Sequence, residues 1–340
     1  MIDLSVTSRA TGETAPDLRR TARWRPETIT TLALFLLSIA LIFGSRFVSP
    51  ALGSWSQVST VITLASFLIV VAFGQGLVIM VGGLDLAVPS LITLGGVLAT
   101  TWVGADNAGA LYMLPLILLI CAAVGGVSGL GVTLLNVPPF IMTMATGIVV
   151  SSVALGFTSG TPRGASPTIF VELMKAEVAG VPVITIFVVV FALIAAILQS
   201  RTAFGRKLYA IGANPRAAFI AGVPVTRSII LSYMASGATA GFAGLMLVGY
   251  SDGATLRMGD SYLLPSIAAV VIGGSSILGG SGSFVATVGG ALLLTTLGTV
   301  IAALGIDQGW RTVIEGSIIL IALLLLRENT FARLRRWLAR

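Results

Sequence analysis

The stretch QVSTVITLASFLIVVAFGQGLVIMV, residues 57–81, contains no charged side chain. A helix crosses the hydrocarbon core of a bilayer with about 20 apolar residues, so this stretch is long enough to span a membrane. A membrane-spanning β-strand would alternate polar and apolar residues, and no such alternation occurs here. The stretch therefore predicts a transmembrane helix, and similar apolar runs lie on both sides of it along the chain.

The composition agrees with this interpretation. Of the 340 residues, 56% are hydrophobic and 10% are charged, and the mean hydropathy is +1.02. Soluble proteins carry about 25% charged residues, so a soluble enzyme is excluded. We predict an all-α integral membrane protein with about ten transmembrane helices in one glycine-rich bundle, and soft boundaries leave a count of about eight to eleven open. The predicted spans are 29–48, 57–81, 87–104, 111–136, 138–160, 181–199, 228–250, 263–280, 284–304 and 310–326.

Most basic residues lie in three segments, which precede the first span, follow the sixth and follow the tenth. With ten spans these segments share one side of the membrane, and the positive-inside rule makes that side cytoplasmic. The net charge of +7 thus reflects topology and gives no reason to expect nucleic acid as a partner. The basic residues concerned are Arg9, Arg19, Arg20, Arg23, Arg25, Arg201, Arg206, Lys207, Arg216, Arg227, Arg327, Arg333, Arg335, Arg336 and Arg340.

The charge map also divides the chain into three parts. Residues 1–28, rich in polar and charged side chains, are predicted to be a disordered cytoplasmic tail. Residues 29–326 form the predicted transmembrane domain, in which 200–227 is a cytoplasmic loop. Residues 327–340 form a basic cytoplasmic tail. Both termini are therefore expected on the cytoplasmic side.

Several kinds of chemistry are absent from the sequence. There is no histidine and one cysteine, Cys121, which argues against His-based acid–base catalysis, a His/Cys metal site and an intrachain disulfide. The glycine-rich run 273–282 contains no lysine, and no G-x-x-x-x-G-K-[ST], G-x-S-x-G or H-E-x-x-H motif occurs. We predict that the chain is not an enzyme, that it holds no metal or cofactor, and that another subunit supplies energy for any uphill transport.

Two glycine-rich breaks contain the candidate residues for a solute path. The stretches 82–98 and 279–294 each begin with a Gly-Gly pair and continue into a helix that contains a second pair. In the first, Asp85 is expected to cap the following helix. An ionisable residue at membrane depth is also a candidate contact for a polar solute, and both roles stay open for Asp85. The solute-path candidates are Gly82, Gly83, Asp85, Ser90, Gly279 and Gly280.

The loop 200–227 contains the signature of a short helix. Asn214 is a suitable N-cap, Pro215 suits the first helical position, and Gly222 ends the helix. This helix would display Phe219 and Ile220, which need an apolar cover. The cover is either the membrane domain of the same chain or a groove in a soluble partner.

These motifs resemble the membrane-spanning permease subunits of bacterial ATP-binding-cassette importers, in the ribose-type sugar group that is related to branched-chain amino-acid permeases. The most specific stretch is GRKLYAIGANPRAAFIAGVPV (205–225), similar to the family's cytoplasmic coupling segment with its G-x-N-x-x-A-A-x-x-x-G core. The stretches VGGLDLAVPS (81–90) and GGSGSFVATVGGALLL (279–294) are also similar to family motifs. Two residues depart from the pattern: Ala87 replaces the usual serine and Pro89 the usual glycine.

The resemblance implies an importer permease fold in the bacterial inner membrane, with two permease subunits around one solute path. It implies two cytoplasmic ATPase subunits, which use ATP and Mg²⁺, and a periplasmic or lipid-anchored solute-binding protein. The implied solute is a monosaccharide, with branched-chain amino acids and nucleosides as alternatives. A stand-alone channel or secondary transporter is disfavoured, since only Asp85 and Glu315 are ionisable near or within spans. The residues that the resemblance assigns to ATPase coupling are Gly212, Asn214, Pro215, Arg216, Ala217, Ala218, Phe219, Ile220 and Gly222.

The ten-span topology can be tested with single cysteines. In a Cys121→Ser background, cysteines at positions 202 and 252 are expected to react with an impermeant maleimide from opposite faces of the membrane, because six and seven spans precede them respectively. Labelling of both positions from the same face would contradict the topology.

Overall fold

The computed structural model describes residues 26–47, 53–105, 107, 109–307, 309–310, 312–314, 316–317 and 320. The helices within this part of the chain are α1 (Pro26–Gly44), α2 (Trp55–Met80), α3 (Val88–Leu98), α4 (Ala110–Leu134), α5 (Pro139–Phe157), α6 (Thr168–Lys175), α7 (Val183–Arg201), α8 (Ala203–Ala213), α9 (Pro215–Ile220), α10 (Val225–Ser251), α11 (Leu263–Ile272) and α12 (Phe284–Ala303). A π-helix, Ala99–Val103, continues α3, and a 3-10 turn, Asp260–Tyr262, precedes α11. Two short strands, β1 (Glu177–Val178) and β2 (Val181–Pro182), pair in an antiparallel hairpin.

Seven helices in the described part are long and apolar enough to cross a membrane, namely α1, α2, α4, α5, α7, α10 and α12. They confirm the all-α membrane fold and seven of the predicted spans. Two further predicted spans coincide with shorter apolar helices: Val88–Val103 matches the predicted 87–104 to within one residue at each end, whereas Asp260–Ile272 shows that the prediction at 263–280 was wrong in extent. The second of these helices ends early because Gly274 and Gly279 adopt positive φ angles, which an α-helix does not accommodate.

Three predicted segments fall mainly outside the described residues. The tenth span, 310–326, belongs to this group, as does the tail 327–340. Of the predicted tail 1–28, residues 26–28 are described, and they already form the first turn of α1.

Helix α10 is the centre of the bundle because glycines at its contacts with α3 and α4 bring the helix backbones close together. A Cβ atom on Gly244 would lie 2.1 Å from the Ile92 carbonyl oxygen of α3. On the opposing helix α4, a Cβ on Gly125 would lie 2.1 Å from the Tyr233 carbonyl oxygen of α10. No side chain fits at either position, so the spacing between these helices depends on glycine.

The ends of the helices lie on two opposite sides of the bundle. On one side, Met80 at the end of α2 lies against Gly212 in α8 and Gly280 in the loop before α12. On the other, the Trp55 indole N–H at the start of α2 donates to the Gly180 carbonyl oxygen in the hairpin, at 2.9 Å. The segment 200–227 therefore lies on the same side as the α11–α12 loop and opposite the hairpin.

The outer helices expose apolar side chains, whereas α2 is buried along most of its length. Leu111 of α4, Ile148 of α5 and Leu193 of α7 are examples of large exposed side chains on these outer helices. Exposure of so much apolar area to water would be unfavourable, whereas contact with lipid chains or with another membrane subunit would be favourable.

Substitution of Gly125 tests this backbone contact. Replacing it with alanine is expected to lower the free energy of unfolding in mixed detergent micelles by about 1–3 kcal/mol, because the added methyl forces α4 away from α10. Gly156→Ala is the matched control, since no atom lies within 4 Å of a Cβ atom at that position. Equal stability of the two variants would contradict the proposed backbone contact.

Candidate solute path and coupling site

The first glycine break separates α2 from α3. Helix α2 ends at Met80, and Gly82 has a φ of +80°, a conformation that residues with a Cβ rarely adopt. The chain then runs without helix to Val88, where α3 begins. Pro89 occupies the second position of α3, where a missing N–H breaks no helical hydrogen bond.

Asp85 lies fully buried within this break. Its Oδ1 accepts the Ala87 N–H at 3.0 Å, and its Oδ2 accepts the Ser236 hydroxyl of α10 at 2.7 Å. The expected cap on α3 is therefore wrong in detail: the helix begins three residues later, with Ala87 as its N-cap and no side-chain capping bond. The carboxylate instead closes a local turn and fastens the break to α10.

Two of the buried polar side chains that have no hydrogen-bond partner among the described residues lie in α10 and α2. The hydroxyl of Tyr233 is one, and it lies so close to Gly83 that a Cβ there would be 2.5 Å away. The amide of Gln75 in α2 is the other, with both its nitrogen and its oxygen unpaired. Buried polar groups are normally hydrogen-bonded, so these two can accept a partner that the described chain does not provide.

One face of α5 adds further hydroxyl groups along the break. Thr143 accepts the Leu86 N–H at 3.1 Å, and its oxygen lies 3.2 Å from the Leu84 carbonyl oxygen. Eight residues further along the same helix, Ser151 forms a 2.8 Å hydrogen bond with Ser90 of α3. The break and the start of α3 are thus lined by polar groups from α5 on one side and α10 on the other.

A groove of about 600 Å³ between α3, α4 and α5 has the opposite character. The groove is lined mainly by apolar side chains. The hydroxyl of Thr146, which also lines it, already pairs with Ser128 and with the Met142 carbonyl oxygen. A polar solute there would lose its hydrogen bonds to water without replacement. The residues that line the groove are Leu94, Leu98, Trp102, Ile120, Val124, Val127, Met142, Ala145, Thr146, Val149, Val150, Val153 and Phe157.

Both glycine breaks meet the 200–227 segment at a contact that we call the glycine junction, formed by Met80, Gly212 and Gly280. The Gly280 N–H donates to the Met80 carbonyl oxygen at 3.0 Å. A Cβ on Gly212 would lie 1.9 Å from that oxygen and 2.3 Å from the Gly280 nitrogen. Gly279, with a φ of +90°, lies beside Gly82 at the same place.

Two side chains outside the glycines hold the junction. The Tyr209 hydroxyl of α8 donates to the Gly282 carbonyl oxygen at 2.6 Å. Gln199, at the end of α7, donates to the Met80 sulfur at 2.8 Å and accepts the Phe284 N–H at 2.6 Å. Residues from α7 and α8 therefore bind both the end of α2 and the start of α12.

The predicted short helix is present as α9. The Asn214 side chain accepts the N–H groups of Arg216 and Ala217, at 3.1 and 3.0 Å, which confirms the N-cap. Phe219 and Ile220 are 72% and 85% exposed, so the described part of the chain does not supply their apolar cover. The exposure of these two side chains therefore favours a groove in a soluble partner over the membrane domain of the same chain as their cover.

The structure divides the solute-path candidates into two groups. Gly280 belongs to the glycine junction and Gly82 and Gly279 lie beside it, whereas Gly83 and Asp85 face α10, and Ser90 faces α5. The sequence did not single out Thr143, Ser151, Gln199, Tyr209, Tyr233 and Ser236, which contact the two breaks, or the unpaired Gln75. Polarity within or beside an apolar span is the signal that could have found them.

Comparisons with known proteins agree with this architecture. Residues 57–323 match the family described as branched-chain amino acid transport system / permease component. The chain is 33% identical over 317 residues to a probable ABC transporter permease protein of Sinorhizobium fredii, with 92% of each chain covered. It is 34% identical over 304 residues to the ribose import permease protein of Bacillus subtilis, covering 88% of this chain and 92% of that one.

A galactose/methyl galactoside import permease protein of Escherichia coli is 31% identical over 310 residues, covering 86% of this chain and 92% of its own. No solved structure matches. The family match covers most of the described helices, including both glycine breaks and α9. The chain therefore belongs to the branched-chain amino acid transport system permease family, and it is a multi-pass transmembrane permease of the ABC transporter class.

Proposed function

We propose that the chain is the permease subunit of an importer that carries a monosaccharide across the bacterial inner membrane. The ribose and galactose permeases among its relatives support the solute class. The structural observation that carries the proposal is the polar break buried inside an otherwise apolar bundle, where Tyr233 and Ser90 place hydroxyl groups. A sugar needs such groups because each of its hydroxyls loses a hydrogen bond to water on entry.

The solute path in this proposal follows the glycine breaks and avoids the apolar groove. Gly82, Gly83 and Ser90 border the path at the first break, and Gly279 and Gly280 border it at the second. Interrupted helices are a recurring way to expose backbone groups to a solute in transporters. Asp85 has both carboxylate oxygens engaged, so we assign it to holding the break in place.

Transport against a gradient needs an energy source, and α9 is the proposed docking element for cytoplasmic ATPase subunits. The exposed Phe219 and Ile220 form an apolar anchor of the size that a groove on a soluble partner accepts. Arg216 lies in the first turn, where the helix dipole disfavours a cation, and an acidic group on the partner would compensate it. The basic residues on this segment support a cytoplasmic location for it.

The complete importer in this proposal contains two copies of the permease around one path, two ATPase subunits that hydrolyse Mg-ATP, and a periplasmic or lipid-anchored binding protein. The family's description as a permease component supports an assembly with separate subunits. The exposed apolar faces of the outer helices offer area for contact between two copies.

The proposed function can be tested by uptake into proteoliposomes that contain the permease, its ATPase and its binding protein. ATP-dependent accumulation of labelled ribose or galactose is expected. Accumulation of leucine or adenosine instead would reject the sugar assignment but retain the importer. Accumulation without ATP, driven by an ion gradient, would reject the importer.

Replacement of Phe219 tests the docking helix. Phe219→Asp is expected to leave the permease inserted and folded but to remove most of the ATPase from the purified complex, because a charge cannot enter an apolar groove. Phe219→Leu is the matched control and should retain the ATPase. The measurement is the ATPase-to-permease ratio after affinity purification in detergent. An unchanged ratio with normal uptake would show that coupling does not use this helix.

A second series tests whether Asp85 holds the break or contacts solute. Asp85→Ala leaves the Ala87 N–H and the Ser236 hydroxyl without their partner, so the free energy of unfolding should fall by about 1–3 kcal/mol. Asp85→Asn retains one acceptor oxygen and should keep most of the stability and most of the uptake. Loss of uptake in Asp85→Asn at wild-type stability would instead assign the carboxylate to the solute. Ser236→Ala, which removes only the donor, is the control.

A further inference from the structure

The three residues of the glycine junction contact one another through main-chain atoms. Side chains between two helices can take up a displacement by changing rotamer, but backbones in contact cannot. Since Gly212 lies against both the Met80 carbonyl oxygen and the Gly280 nitrogen, α8 cannot move toward either without moving it. The hydrogen bond from the Gly280 N–H to the Met80 carbonyl oxygen also binds the two breaks to each other.

Helix α9 is rigidly connected to this junction. Gly212 precedes the N-cap Asn214 by two residues, and the Asn214 N–H donates to the Ala210 carbonyl oxygen of α8 at 3.1 Å. The same residue therefore ends α8 through its backbone and starts α9 through its side chain. A displacement of α9 reaches Gly212 without passing through a flexible loop.

Tyr209 of α8 adds a side-chain contact beside the glycine junction. It lies one turn before Gly212 on α8, and its hydroxyl reaches across to the Gly282 carbonyl oxygen at 2.6 Å. This bond attaches α8 to the segment that enters α12 just beyond the second glycine break. Because the bond comes from a half-buried side chain away from α9, its loss leaves the apolar anchor for a partner unchanged.

We propose that the glycine junction transmits a displacement of α9 to both glycine breaks at once, and that Tyr209 is a positioning residue for this transmission. The proposal rests on the proposed function, since it assumes that an ATPase moves α9. It goes further by separating transmission from docking: residues of α9 hold the partner, whereas Tyr209 and the junction convert its motion into rearrangement of the solute path.

The test uses the reconstituted importer and compares the number of labelled ribose molecules accumulated per ATP hydrolysed. Tyr209→Phe deletes only the hydroxyl, and the loss of one hydrogen bond is expected to lower this ratio about threefold or more while the ATPase still co-purifies. Tyr112→Phe is the matched control, because that tyrosine lies on α4, on the opposite side of the bundle, and should leave the ratio unchanged.

Gly212→Ala is the stronger variant. Its methyl would push α8 away from the Met80 carbonyl oxygen by roughly 1 Å, which separates the three backbones. We expect at least a tenfold lower ratio of ribose to ATP than in the wild type. Gly156→Ala, with open space around the added methyl, controls for a glycine-to-alanine change within a helix.

The outcomes separate this inference from the proposed function. A wild-type permease that binds no ATPase rejects the proposed function. A Tyr209→Phe permease that binds ATPase and keeps the wild-type ratio rejects the transmission role alone, as does a fall in ratio that merely follows loss of the ATPase. If Gly212→Ala does not accumulate in the membrane, Tyr209→Phe decides the question by itself.

Discussion

Direct contact between backbones at glycine is the constraint on which the rest of this structure depends. Lipid offers no hydrophobic drive for apolar helices to associate, so close packing and hydrogen bonds must hold them. Gly125 and Gly244 provide such packing around α10, and Gly212 provides it at the glycine junction. Direct backbone contact stabilises the bundle. It also makes the contacting helices move together, because no side chain lies between them that could change its conformation.

Asp85 shows how the bundle accommodates an ionisable side chain in its interior. An isolated carboxylate in an apolar environment costs several kcal/mol, and pairing lowers that cost. The Ser236 hydroxyl and the Ala87 N–H provide the pairing. The first glycine break is thereby fixed to α10, the helix that also sets the positions of α3 and α4. A polar region can therefore exist in the bundle without loosening it.

Polar and apolar features are separated in a way that suits a transport subunit. Hydroxyl groups from α5 and α10 gather at the break, whereas the groove between α3, α4 and α5 is apolar. The glycine junction lies between this polar region and α9, whose exposed Phe219 faces away from the described chain. The proposed solute path, transmission element and docking element thus follow one another along the molecule, and each has the chemistry that its proposed task needs.

The sequence by itself determined the membrane class, seven of the spans and the short helix capped by Asn214, because hydropathy over about 20 residues and a cap within three residues are local properties. It also singled out Gly82, Gly212 and Gly280 as separate motifs. Only the tertiary structure decided that these glycines meet, that Asp85 pairs with Ser236, 151 residues away, and that α11 is short. Such contacts join segments that are distant in sequence, so they depend on how the whole bundle packs, which no local pattern encodes.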